Sequence, residues 1–133
     1  MIYLDNMQRA LVVDYDPHYR LKIHQILSEL SYHVDSVETG TLALELASGT
    51  GYDLAILDYM LPDINGFRLA LQLRKKNGDV PVVVITAHEG WALMDRHVKE
   101  VTGMEGLGVL VRPFETDALI QKINEVTEKK DEA

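Results

Sequence analysis

The segment Val80-Pro81-Val82-Val83-Val84-Ile85-Thr86 constrains this chain more than any other. Its β-branched residues favour an extended backbone, and no polar side chain alternates along it to face water. Such a strand must be covered on both faces, as the interior strands of parallel sheets are. Four further segments read as strands: Ala10–Val13 ending in Asp14, Tyr32–Val37, the run "DLAILD" ending in Asp58, and Leu107–Val111.

Helical spacing fills the intervals. Ile23, Ile26, Leu27 and Leu30 fall on one helix face; Leu42, Ala43, Leu46 and Ala47 mark a second helix. Phe67, Ala70 and Leu71 open a third, closed by Asn77-Gly78, and Met94, Val98 and Val101 mark a fourth. Leu119, Ile123 and Val126 line the last. Five strands, each followed by a helix, predict an α/β fold: a doubly wound five-stranded parallel sheet with five helices and right-handed crossovers. At 133 residues the chain fits one domain over 1–133, with a core at about 8–128 and a polar tail over 129–133.

Composition removes several classes of function. The absence of cysteine excludes disulfides, thiol catalysis and cysteine-zinc sites. A formal net charge of -8 opposes direct binding of DNA or RNA, which needs a basic face. No stretch reads as a signal peptide or a membrane span, so a soluble, cytoplasmic domain is expected.

In an open α/β sheet, ligands bind beyond the carboxyl ends of the strands, near the switch in strand order. The first strand delivers Asp14, Tyr15 and Asp16 to that end. The third delivers Asp58, the fourth Thr86, and the fifth Arg112 followed by Pro113. Acids, a hydroxyl and a cation thus converge from four segments, a set suited to a metal ion or a phosphoryl group.

At this point the chain resembles the receiver domain of bacterial response regulators, the CheY-like family, over roughly residues 8–128. The most specific match is "ILDYMLPDINGF", with Asp58, Pro62 and Gly66 at the family's spacing. "VVVITA" with Thr86 and Ala87, and "VRPF" with Pro113 and Phe114, follow in order. The resemblance implies strand order 2-1-3-4-5, with Asp58 as the phosphoacceptor and Thr86 donating its hydroxyl to the phosphoryl group. Arg112 stands where the family has a lysine, ahead of a cis bond to Pro113. It also implies Mg²⁺ held by Asp14, Asp58 and the carbonyl of Met60, with Asp16 a further candidate. A sensor histidine kinase or phosphotransfer protein would supply the phosphoryl group. A downstream partner or output domain would read the switch, and the fourth helix, fifth strand and fifth helix form a candidate dimer face. Such a domain is no enzyme in the ordinary sense, although it assists its own aspartyl phosphorylation and dephosphorylation.

The departures are specific. Tyr15 takes the place of the family's second acidic residue, so a weakened Mg²⁺ site is expected, because a neutral phenol is a poor ligand for a hard cation. Val109 stands where many receivers carry an aromatic rotor. The region around "VTGMEGLG" is a few residues longer than usual. An alternative keeps the fold without the chemistry, a phosphorylation-independent module for protein–protein contact.

Plainer roles stand beside these. Asp16 before Pro17 is what a helix start looks like. Thr86 is also an ordinary strand residue, Asp14 a strand end and Arg112 a surface cation. The five histidines (His18, His24, His33, His88, His97) lack metal spacing and are expected at the surface, with His88 near the pocket. Trp91, Met94 and Met104 read as packing or contact residues. "VVDYDPH" also resembles the nucleophile motif of haloacid-dehalogenase-type phosphohydrolases, with Asp14 attacking and Asp16 as acid/base. However, no acidic pair follows Arg112, and Asp58, Pro62 and Gly66 would be left unexplained. A flavodoxin reading lacks a Ser/Thr/Gly phosphate cradle after the first strand.

Overall fold

The structure is a computed structural model that describes residues 7–88, 103 and 105–128. Its strands are β1 (Arg9–Val13), β2 (His33–Val37), β3 (Leu54–Asp58), β4 (Val82–Thr86) and β5 (Leu107–Val111). Its helices are α1 (Pro17–Glu29), α2 (Gly40–Ala47), α3 (Gly66–Asn77) and α4 (Thr116–Thr127). All strand pairs are parallel, in the order β2-β1-β3-β4-β5. The expected topology holds. The helix expected around Met94, Val98 and Val101 lies outside the described residues, as do Trp91, His97, Met104 and the tail 129–133.

Side-chain alternation explains why the strand sequences are apolar throughout. Leu11, Val13, Ala55, Leu57, Val82 and Val84 point to the face covered by α2 and α3. Ala10, Val12, Leu54, Ile56, Val83 and Ile85 point to the other, under α1 and α4. Burial at roughly 25 cal/mol per Å² on both faces is what holds the sheet between two helical layers.

Local signals set the helix ends. Asp16 caps α1 by accepting from the His18 N–H, with Pro17 at the first turn. Thr39 caps α2 through the Leu42 N–H, and Asn65 caps α3 through the Arg68 N–H. Gly78, at φ 76°, closes α3 in the left-handed region that favours glycine.

Three apolar positions differ from their expected faces: Leu30, Leu42 and Leu71 are exposed. Leu30 is the C-cap of α1, past the last buried turn. In α2 the small residues Gly40, Ala43 and Ala47 take the buried side and let the helix approach the sheet closely. In α3 the buried face is Gly66, Leu69, Ala70 and Leu73, and Leu71 turns outward.

Candidate functional site

The reversal of strand order falls between β1 and β3, which pair with Val13 opposite Leu57. The next residue on each strand is a carboxylate, so register alone brings Asp14 and Asp58 together. The Asp14 N–H reaches the Val37 carbonyl, the Tyr59 N–H the Ile85 carbonyl, and the Arg112 N–H the Thr86 carbonyl, at 3.1, 2.7 and 2.8 Å. Each strand end is thereby fixed one residue beyond the sheet. Asp14, Asp58 and Thr86 are the buried polar residues there.

Arg112 closes the group. Its Nη2 donates to Asp58 Oδ1 at 2.6 Å and lies 3.5 Å from Asp14 Oδ2. The arginine side chain is only 13% exposed. Its guanidinium carbon sits 4.4 Å from the centre of the Tyr19 ring, which packs in turn on Phe114. The Arg112–Pro113 peptide bond is cis.

Asp14 is held through its other oxygen. Oδ1 accepts from the Asp16 N–H at 2.9 Å, whereas Oδ2 is buried without a hydrogen-bond donor among the described residues. Its carbonyl accepts from Arg20 Nη1 at 2.7 Å. Burial, and next the charge of Asp58, push the Asp14 carboxyl up to about 6; the Asp16 N–H and Arg112 pull the other way. A buried carboxylate oxygen lacking a donor, beside a second carboxylate, suits a hard divalent cation.

The remaining candidates separate. Asp16 spends its Oδ1 on the helix cap and is exposed. Among the described residues, no group of three or more His, Cys, Asp or Glu side chains converges as a metal cage. A cation here would take its ligands from Asp14, Asp58, a backbone carbonyl such as that of Met60, and water. The Met60 N–H donates to Asp58 Oδ1 at 3.2 Å, and the Met60 side chain is 73% exposed. Tyr15, 58% exposed, lies at the rim rather than within. Thr86 Oγ1 accepts from the His88 N–H at 3.1 Å, and both residues line a shallow depression with Tyr59, Met60 and Ala87. Val109 is buried in β5 opposite Val84, an aliphatic side chain where a rotor would stand. Of the described histidines, His24 departs from a simple surface role: it is half-buried, with Nδ1 2.5 Å from Ser36 Oγ.

Two features around the site were not legible from strand ends. Tyr19 and Arg20 sit in the first turns of α1, and their spacing after Asp14 was the available clue. The second feature is a brace in the loop after β3. Asp63 accepts from the Gly40 N–H, the Thr41 N–H and the Thr41 hydroxyl at 3.0, 2.8 and 2.6 Å, joining that loop to the start of α2. The Thr41 hydroxyl above all holds the Asp63 carboxyl below the usual range.

Gly66 has a direct reason for its place. A Cβ there would lie 2.8 Å from the Asp58 carbonyl oxygen and 3.0 Å from the Tyr59 Cα. Both are backbone atoms, so relief requires moving the strand end that carries Asp58. Gly66→Ala is expected to lower stability by about 1–3 kcal/mol, as overpacking of a fixed core does. Its amide NMR shifts should move at Asp58–Met60; unchanged shifts there would refute the steric account.

Residues 10–124 match the family described as the response regulator receiver domain. The chain is 32% identical over 123 residues to the transcriptional regulatory protein TcrA of Mycobacterium tuberculosis, covering 91% of this chain and 46% of TcrA. It therefore spans about half the length of that curated relative. Response regulator TrrA of Thermotoga maritima, solved in complex with Mg²⁺ and BeF, is similar with a TM-score of 0.74 and 32% identity, covering 90% of this chain and 99% of that one. The receiver domain of a sensor histidine kinase from Pseudomonas aeruginosa PAO1, with a magnesium ion in its active site cleft, gives a TM-score of 0.74 and 27% identity, covering 92% and 99%.

Proposed function

This chain belongs to the response regulator receiver domain family of two-component signalling, and from that premise we propose that Asp58 accepts a phosphoryl group and switches a protein-contact surface. The supporting observation is the convergence of buried Asp58, Asp14 and Thr86 with the Arg112 guanidinium 2.6 Å from the Asp58 carboxylate. An Asp58 oxygen attacks phosphorus, the bond from phosphorus to the donor's leaving atom breaks, and an acyl phosphate results. Such transfer is mainly positioning and neutralisation of charge on the phosphoryl oxygens. Arg112 supplies one fixed positive charge, and Thr86 a hydroxyl at the neighbouring strand end. Asp14 and Asp58, with the Met60 carbonyl, would hold Mg²⁺, which supplies further charge neutralisation when bound. A histidine kinase or phosphotransfer protein is the donor class this chemistry fits. A partner or output domain reading β5 and α4 is the corresponding recipient of the signal.

The test is intact mass after incubation with a small-molecule phosphodonor, with and without Mg²⁺, beside Asp58→Ala. A single Mg²⁺-dependent phosphoryl adduct, absent from the variant, is expected. Tyr15→Asp should raise Mg²⁺ affinity by at least about tenfold, since it restores a carboxylate at the rim. No adduct in either the native chain or Tyr15→Asp, with a cognate kinase also failing, would shift the reading to a phosphorylation-independent contact module.

A further inference from the structure

The Arg112 guanidinium occupies Asp58 Oδ1, an oxygen that a cation would use, and lies 3.5 Å from Asp14 Oδ2, which raises the question of what keeps it there. Among the described residues, hydrogen bonding accounts for one nitrogen: Nη2 meets Asp58 Oδ1, whereas Nε is buried with no acceptor. Beside the ion pair with Asp14, the guanidinium carbon also lies over the Tyr19 face, 4.4 Å from the ring centre. Tyr19 is itself backed by Phe114 at 6.0 Å between ring centres. Lys22 lies 4.9 Å over the far ring and donates to the Phe114 carbonyl at 3.3 Å. Cation, ring, ring and cation thus run from the pocket to the flank of α1.

We propose that Tyr19 is a positioning residue: its ring presses the Arg112 guanidinium onto Asp58 and Asp14, and so sets how readily the pocket exchanges that resident charge for Mg²⁺. An arginine suits this arrangement where a lysine does not, because its planar, weakly hydrated head stacks on a ring while donating at its edge. The pocket then carries a built-in counter-ion. Metal entry requires Arg112 to leave the Asp58 oxygen, and Tyr19 opposes that departure.

The inference rests on the reading that Asp14 and Asp58 bind Mg²⁺, and two readouts keep the claims separate. The first is the Arg112 Nε–Hε resonance in the metal-free protein. It should be resolved and slow to exchange in the native chain and in Tyr19→Phe, and lost to exchange in Tyr19→Leu. Persistence in Tyr19→Leu would overturn the role of the ring whatever the metal does. The second is Mg²⁺ titration followed by amide NMR shifts. Loss of the ring should tighten Mg²⁺ binding roughly three- to tenfold, the range of a partly desolvated cation–π contact. Tyr19→Phe should match the native chain. In an Arg112→Met background, Tyr19→Leu should leave the Mg²⁺ midpoint where it was. Equal shifts with and without Arg112 would overturn the proposal, because a merely structural tyrosine acts without the arginine. A native chain that fails to bind Mg²⁺ at saturation would refute the metal reading, leaving the first readout to decide on Tyr19.

Discussion

Arg112→Met should destabilise the protein by about 3 kcal/mol near neutral pH, with a fall in Tm on the order of 10 °C. The reason lies in what remains. Asp14 and Asp58 are buried at adjacent strand ends, and Arg112 is the cation within 4 Å of both among the described residues. Methionine keeps most of the packing against Tyr19 but leaves two carboxylates with no compensating charge. Removing one partner of a buried pair is more damaging than never having had the pair, because the stranded charge keeps its desolvation penalty.

Acid should relieve the defect. Asp14 already holds its proton up to about 6, and losing Arg112 removes one of the influences that keep it ionised. The loss measured by urea unfolding should therefore shrink to about 1 kcal/mol near pH 5, where one carboxylate is neutral. Arg112→Lys should retain most of the native stability. Equal midpoints for Arg112→Met and the native chain near neutrality would mean that Arg112 does not compensate the buried carboxylates, and the electrostatic account would fail.

How far the sequence reveals the fold and site follows from what each signal encodes. The five apolar segments announced a parallel sheet, since strands covered on both faces carry no polar alternation. β5 was legible to the residue, and the buried face of α4 was read from Leu119, Ile123 and Val126 alone. In α2 and α3, Ala43, Ala47 and Ala70 are buried as read, whereas Leu42 and Leu71 are exposed, because small residues do the close packing there and hydrophobicity alone favours the larger leucines. Strand-end positions identified Asp14, Asp58, Thr86 and Arg112, because topology converts position along a strand into position in the pocket. Tyr19 was missed for the complementary reason. It meets Arg112 from a helix, and that contact depends on where the Arg112 side chain lies rather than on any strand end. Asp16 carried two readings in the sequence, and the geometry shows its carboxylate at the helix cap.

Asp14→Asn should stabilise the protein by about 2 kcal/mol near neutral pH, against the usual direction for a buried substitution. The sign follows from proton linkage. Burial and the neighbouring Asp58 raise the folded-state Asp14 carboxyl from 3.8 to about 6, so between those values the folded protein binds a proton that the unfolded chain releases. Stability from this group is complete below about pH 4 and is lost as pH rises through about 6. A shift of that size corresponds to at most about 3 kcal/mol.

Asparagine is neutral throughout and keeps an oxygen to accept from the Asp16 N–H, so it escapes the loss, but it gives up attraction to Arg112, which lowers the net gain. Unfolding free energies should thus separate as pH rises from about 4 to 7 and converge in acid. A variant less stable than the native chain near neutrality, or a gap unchanged in acid, would refute this reading. Saturating Mg²⁺ should reverse the ranking if Asp14 is a ligand, because a cation that binds only the folded native site adds stability in proportion to its occupancy.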